Sequence, residues 1–456
     1  MSFSIQLPVP FSVRFLFSTA RRETVLLLLA LLATGAASTG RAADSVTTAP
    51  QAALSLARAQ ALAIARSRQL VAQDFAVVAA REMAIAAGQL PDPVLKFGID
   101  NLPVTTADRF SLNRDFMTMR RVGVMQELTG ADKRRSRSDR LEREADKTLA
   151  EKQVTLAAIG RETAIAWLER YYSEAMAAVI HDQGAQAKLE VQAAEGAYRA
   201  GRGNQAELLA ARSAVASFDD RASDTARRVR SAVTMLGRWV GEASVLPLDG
   251  PPDMARVRLD LSQLELQLSH HPEIAVLRRQ EEVAQADARL AQASLNSDWT
   301  VELAYQQRGP EYSNMISVGV SIALQWDRKS RQDRELSARL ALVDKAQAER
   351  EDTLRMHVAE TRAMFDEWQT DRERIDRYER ELLPLANNRT LAAVAAYRGG
   401  KAALTDVLAA RRNAIEVRIQ ALQLQAESAK LWARLNFLAA DDTLHSGMQM
   451  SEMEIK

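Results

Sequence analysis

An internal duplication constrains the fold of this 456-residue chain more than any other feature of the sequence. The segments MRRVGVMQELTGADKRR (residues 119–135) and MISVGVSIALQWDRKSR (315–331) align at an offset of 196 residues. A second pair, AYRAGRGNQAELLAAR (197–212) and AYRGGKAALTDVLAAR (396–411), aligns at an offset of 199 residues. Two matching pairs in the same order indicate a structural unit of about 200 residues that occurs twice.

The second pair of segments carries a repeated Tyr-Arg-x-Gly pattern. Tyr198 and Gly201 of the first unit correspond to Tyr397 and Gly400 of the second. We assign these four residues a structural role in the repeat. The Pro/Gly-rich segment VLPLDGPPD (residues 245–253) marks the seam between the units.

The distribution of proline permits very long helices. No proline lies between Pro103 and Pro247, between Pro310 and Pro384, or after Pro384. Proline disrupts a helix interior because it lacks the N–H group and its ring clashes with the preceding turn. Apolar residues in 141–167 recur at helical spacing with charges between them, a pattern typical of coiled coils. We predict two helical hairpins, over about 131–239 with a turn near 181–186 and about 328–438 with a turn near 382–388.

Before each helical hairpin the hydrophobic period changes to two, which is typical of strands. Val318, Val320, Ile322 and Leu324 alternate with small or polar residues, of which Ser317, Ser321 and Gln325 are examples. We predict strand hairpins over about 93–129 and 298–327, with an apolar and a polar face. An ordinary two-sided sheet packed on the helices remains an alternative. Against it, the polar face is a poor core and aromatic residues fall near the strand ends.

The chain divides on this reading into four parts. Arg21 and Arg22 precede an apolar run (25–33) and then small residues, which predicts a cleaved signal peptide over 1–43 rather than a retained anchor. The first repeat then covers 44–245, the second 246–440, and a C-terminal tail 441–456. Four strands cannot close a barrel, so a membrane barrel would need several copies of the chain.

Composition excludes several classes of function. A net charge of +1 argues against a nucleic-acid partner, which normally requires a concentrated basic excess. The absence of cysteine excludes disulfides and thiolate chemistry. No nucleophile, general base or phosphate-binding loop emerges, so we predict neither an enzyme nor a cofactor.

Metal ligands are also not predicted. The five histidines show no ligand spacing along one helix. They are His181, His270, His271, His357 and His445. Six methionines could contact Cu(I) or Ag(I), although methionine is equally an ordinary filler of apolar gaps. They are Met117, Met119, Met125, Met448, Met450 and Met453. The segment Ser269-His270-His271-Pro272 is instead interpreted as a helix start.

The whole pattern resembles the TolC-like outer-membrane efflux proteins over residues 53–440. The resemblance rests on the duplicated unit, the twice-used Tyr-Arg-x-Gly pattern, HHPEIAVLRRQ (270–280) and YERELLPLA (378–386). Within the family, AGQLPDPVLKFGIDNLPV (87–104) and DFMTMRRVGVMQEL (115–128) resemble most the heavy-metal (CzcC/CusC-like) branch of resistance-nodulation-division efflux systems. One departure is Gln126, which stands where the second repeat has the apolar Ile322.

The resemblance implies a mainly α fold with membrane β structure. It implies a homotrimer whose twelve-stranded barrel lies in outer-membrane lipid and continues into a periplasmic helical barrel. Its partners would be a periplasmic adaptor and an inner-membrane resistance-nodulation-division transporter, and its function a passive exit duct for heavy-metal cations. A duct for organic drugs or secreted substrates is an alternative, and a periplasmic coiled-coil adaptor or scaffold is a third.

The resemblance also implies a closed periplasmic end near the helical turns. The segment DEWQTDRERIDRYERE (366–381) precedes the second predicted turn and is rich in acids and arginines. Threefold symmetry would bring lumen-facing copies of Asp371 or Asp376 together, while Arg377 could tie neighbouring helices. We predict that Asp371, Asp376 and Arg377 contribute to a resting aperture. A purely solvated helix face is the alternative.

Overall fold

The computed structural model describes residues 53–201 and 203–438, which form long helices and one four-stranded sheet. The helices are α1 (Leu56–Arg66), α2 (Arg68–Ala87), α3 (Ala131–Arg199), α4 (Gln205–Val240), α5 (Leu264–Ser269), α6 (Pro272–Ala293), α7 (Gln332–Arg377), α8 (Leu383–Arg398) and α9 (Leu404–Asn436). The strands are β1 (Val94–Asp100), β2 (Met119–Leu128), β3 (Trp299–Gln307) and β4 (Met315–Ile322). No helix in the described ranges is both long and apolar enough to cross a bilayer. The predicted signal peptide and C-terminal tail lie outside these ranges.

All four strands join one antiparallel sheet in the order β1-β2-β3-β4. Each repeat supplies a hairpin, and the two hairpins meet where β2 pairs with β3. Gly123 permits a close approach there, since a Cβ atom on it would lie 3.0 Å from the Ala304 side chain. The far edges, β1 and β4, have no partner strand within the described chain.

The first helical turn was predicted in the wrong place. Helix α3 runs without interruption for 69 residues through 181–186, and the turn lies at 200–204. Gly184 is the only breaker in the predicted segment, and one glycine costs a helix only about 1 kcal/mol relative to alanine. The chain therefore stays helical until Gly201.

The second turn, predicted near 382–388 around Pro384, was also in the wrong place. The chain remains helical from α7 to α8 through a π-helical segment, Tyr378–Leu382, and turns only at 399–403. A π turn inserts one extra residue, which makes room for a ring that lacks an N–H group. Proline is thus accommodated inside a long helix.

The main core lies where the helices meet the segment between the two repeats. It joins buried residues of α1, α3, α4, α7 and α9. Its largest members include Trp167, Leu168, Leu236, Trp368, Leu422 and Trp432. The backbone of Leu54 ties the linker to this core, because its N–H donates to the Pro247 carbonyl at 2.8 Å. The short bridge between Leu54 and Leu248 fixes the seam segment beside the helices.

Candidate functional site

The sheet has one apolar and one polar face. The register aligns Leu95, Val124, Leu303 and Val318 in a row across all four strands. These four side chains are exposed. The two neighbouring rows are also largely apolar. One contains Phe97, Val122, Tyr305 and Ile316, and the other contains Val301 and Val320. An exposed apolar surface of this extent indicates a site of interaction with lipid or protein.

The opposite face of the sheet carries paired charges. Lys96 lies 3.0 Å from the Glu302 carboxylate, and Arg121 contacts both Glu302 and, at 3.8 Å, Asp100. Met119 and Met125 share this face but stand six residues apart on β2, roughly 20 Å along the strand. They therefore do not form one site for a soft metal ion.

Gln126 is a polar residue on the apolar face, as is Arg120 at the other end of β2. Its Nε2 donates to the Pro91 carbonyl at 2.7 Å and to the Glu127 carbonyl at 2.9 Å. The side-chain amide is thus satisfied by backbone at the end of the sheet nearest the helices. The next row towards the helices, formed by Leu128, Trp299 and Ile322, is again apolar and exposed.

Strand β4 is shorter than predicted. It ends at Ile322, so Leu324, Gln325 and Trp326 follow the strand rather than extend it. The side chain of Trp326 is 89% exposed. Aromatic rings just beyond the apolar band are typical of barrel proteins at the bilayer interface.

The basic residue Lys133, which follows β2, makes contacts with the second repeat. Lys133, near the start of α3, lies 2.6 Å from the Asp298 carboxylate, immediately before β3. The same ammonium group donates to the Asn296 carbonyl at 3.3 Å. Lys133 therefore fastens α3 of the first repeat to the start of β3 in the second repeat.

The four repeat-motif residues build two equivalent turns. Gly201 and Gly400 have φ values of +69° and +68°, and their N–H groups donate to the carbonyls of Tyr198 and Tyr397, each at 3.0 Å. Only glycine adopts this left-handed conformation without strain, so it ends a helix sharply. The adjacent Gly399 has a φ of −81°, which any residue adopts. The repeated pattern is thus the signal that locates both turns.

Beside the turns the two helical hairpins are joined by apolar contacts and ion pairs. A small buried cluster contains Ala194, Ala211, Leu404, Val407 and Leu408, with Tyr397 packed against it. Arg411 lies 2.8 Å from Glu190, without the alignment of a hydrogen bond. Burial raises the pKa of Glu190, and the charge of Arg411 opposes part of that shift. Arg212, which in the first repeat corresponds to Arg411, pairs with Glu195 at 2.8 Å.

The three predicted aperture residues lie far from the turns. At 1.5 Å per residue, Arg377 stands roughly 33 Å before the turn that begins at Gly399. Asp371 is buried and pairs with Arg374 at 3.0 Å. Asp376 is exposed and pairs with Arg380 at 2.8 Å, and Arg377 is exposed. Of the three, only Asp376 and Arg377 stand on the exposed side of α7.

The structure brings together a cluster that sequence reasoning missed. His271, Glu273 and His357 offer ligand atoms that all lie within 4.8 Å of one another. His271 caps α6, as predicted for the helix start, Glu273 lies in its first turn, and His357 comes from α7. Spacing along one helix could not reveal the cluster, because the residues belong to two helices.

Comparisons with known proteins agree with this architecture. Residues 264–440 match the sequence family described as outer membrane efflux protein. No curated protein matches the chain. Among solved structures, the outer-membrane channel OprN shares 18% identity at a TM-score of 0.69, covering 85% of this chain and 90% of OprN.

Two further structures are similar to the same extent. VceC from Vibrio cholerae shares 19% identity at a TM-score of 0.67, with 85% of this chain and 97% of VceC covered. CusC shares 15% identity at a TM-score of 0.69, with 85% of this chain and 92% of CusC covered. The predicted fold class is confirmed: the chain has the fold of outer-membrane efflux channels, with four antiparallel strands continuing into long helices.

Proposed function

We propose that the chain is one subunit of a homotrimeric outer-membrane channel that serves as the passive exit duct of a tripartite efflux pump. The observation that carries this proposal is the four-stranded sheet, which is apolar on one exposed face and open at both edges. Three copies would pair β4 of one subunit with β1 of the next and close a twelve-stranded barrel without free edges.

The faces of the sheet suit this arrangement. Turned outward, the rows containing Leu95 and Phe97 would contact lipid, while Lys96, Arg121 and Glu302 would line an aqueous lumen. The helices that continue from the sheet would form the periplasmic part. Adaptor and inner-membrane transporter would engage their far ends, at the turns of 200–204 and 399–403.

The exported class is proposed to be heavy-metal cations, on the resemblance of residues 87–104 and 115–128 to that branch of the family. A duct for organic compounds has the same architecture, and substrate choice would belong to the transporter. A periplasmic adaptor fits less well. An adaptor has one helical hairpin between its β segments, whereas this chain has two hairpins and joins their strands in one sheet.

Assembly can be tested with engineered disulfides, because the native chain contains no cysteine. One cysteine at Leu95 in β1, combined in turn with one at Ile316, Val318 or Val320 in β4, should cross-link neighbouring subunits. We expect covalent dimers and trimers in the outer-membrane fraction on non-reducing gels for at least one combination.

The matched control places cysteines at Val124 and Leu303, which are partners within one chain. That pair should cross-link internally and leave the covalent species monomeric. Recovery of a soluble periplasmic monomer, with no intermolecular cross-link from any β1–β4 combination, would refute the proposal.

We propose in addition that Asp376 and Arg377 face the lumen and restrict the resting duct, with Asp371 acting through Arg374 to hold this stretch of α7. In planar bilayers, Arg377→Ser should raise resting single-channel conductance, and Asp376→Asn should weaken cation selectivity. Lys401→Ser, which removes an exposed basic residue at the turn, is the comparison. A change with Lys401→Ser alone would place the restriction at the turns instead.

A further inference from the structure

The cluster of His271, Glu273 and His357 lies at the junction of α6 and α7, away from the sheet and the helical turns. The Nε2 atom of His357 lies 2.8 Å from the Glu273 carboxylate. The rings of His271 and His357 have centroids 5.1 Å apart, at an interplanar angle of 38°. Two imidazoles and one carboxylate thus converge from two helices.

His271 is more than nine-tenths buried, yet one of its ring nitrogens is unused. Its Nδ1 accepts a long 3.3 Å hydrogen bond from the Glu273 N–H, whereas its Nε2 is buried and makes no well-formed hydrogen bond. The backbone of Leu438 is the nearby group that would accept from an imidazole N–H. A buried ring nitrogen without a well-aligned hydrogen bond is costly, and binding to a metal ion would satisfy it.

The charges at the cluster permit a cation. Glu273 contributes the negative charge and is 45% exposed, so an ion can enter from solvent on that side. Arg161 on α3 opposes a cation, but it lies 3.3 Å from Glu162, which offsets part of its charge.

We propose that His271, Glu273 and His357 form a binding site for one divalent transition-metal ion, of which Zn²⁺ is the representative. Two imidazoles and a carboxylate are a ligand set that Zn²⁺ accepts, leaving a fourth position for water. With ligand bonds of about 2.0 to 2.1 Å, tetrahedral donor atoms stand about 3.3 Å apart, so small side-chain rotations suffice.

Either ring nitrogen of His271, Nδ1 or Nε2, could bind the ion. If Nδ1 binds the ion, the weak helix cap is given up and Nε2–H is directed to the Leu438 backbone, the usual second interaction of a ligating histidine. The ion would join α6 to α7 within a single chain. The site therefore does not depend on the proposed efflux function or on which compound the duct exports.

The test is calorimetric titration of ZnCl₂ into the untagged full chain in detergent after treatment with chelator. We expect one saturable ion per chain. His271→Ala, Glu273→Gln and His357→Gln should each weaken binding by roughly tenfold or more. Co²⁺ should compete for the site and give a visible absorption band that the same three variants lose.

His270→Ala is the matched control, since His270 is adjacent in sequence, exposed and outside the cluster. It should bind Zn²⁺ like the parent. His357→Gln keeps a side chain that can hydrogen-bond to Glu273. An unchanged far-UV circular dichroism spectrum of this variant would show that its loss of Zn²⁺ binding does not reflect misfolding. No saturable binding by the parent, or equal binding by the three variants, would overturn the proposal.

Discussion

Replacing Val318 by arginine is expected to destabilise the folded channel by about 2 to 4 kcal/mol, the cost of a guanidinium group on the lipid face near the bilayer centre. Val318 is 71% exposed and belongs to the row with Leu95, Val124 and Leu303, which is apolar in every strand. Val320 lies one row nearer the helices, level with Gln126, so a charge there should cost less.

Ser317→Arg is the matched control, one residue away on the polar face. There the guanidinium would remain in water, and only the 3.1 Å hydrogen bond from Ser317 to Gln306 would be lost. Urea unfolding in lipid vesicles, followed by tryptophan fluorescence, compares the two variants. Equal destabilisation at both positions would contradict the outward orientation of the Val318 row.

The sheet was predictable because it depends on local pattern. Alternation in β3 and β4 fixed which residues share a face, and the register agrees with it for Val318, Val320 and Ile322. The end of β4 was not predictable in the same way. Leu324 and Trp326 continue the alternation, but the strand stops at Ile322, which pairs with Trp299, the first residue of β3.

The helical turns show a different limit. The first predicted turn was wrong because Gly184 lies within a helix, and the second was wrong because Pro384 does too. The helix accommodates Pro384 by inserting one extra residue in a single π-helical turn. The left-handed backbone at Gly201 and Gly400 is incompatible with a right-handed helix and therefore ends it. The duplicated Tyr-Arg-x-Gly pattern already contained the correct positions.

The cluster of His271, Glu273 and His357 could not be predicted from the sequence. His271 and His357 are separated by the whole second strand hairpin and come together only when α6 packs on α7. The burial of Asp371 likewise depends on which side of α7 faces the other helices, whereas its pairing with Arg374 is an i, i+3 contact within α7. Local patterns identify the faces of single elements, whereas such sites depend on the packing between elements.

Trp167→Ala is expected to cost about 3 to 5 kcal/mol of folding free energy, the largest effect of any single substitution considered. The Trp167 side chain is fully buried in the main core and stacks on Tyr171 with ring centroids 5.7 Å apart. Its Nε1 donates to the Leu54 carbonyl at 2.9 Å. Since Leu54 also holds the linker at Pro247, removing the indole loosens both the segment before α1 and the seam.

Two variants separate the parts of this effect. Trp167→Phe keeps a ring in the core but removes the donor, so it should cost less than the alanine variant. Trp326→Ala removes an equally large but exposed ring and should change the stability of the helical part little. Guanidinium midpoints from far-UV circular dichroism in detergent measure all three. If Trp167→Ala and Trp326→Ala shift the midpoint equally, the seam is not held to the helices through Trp167.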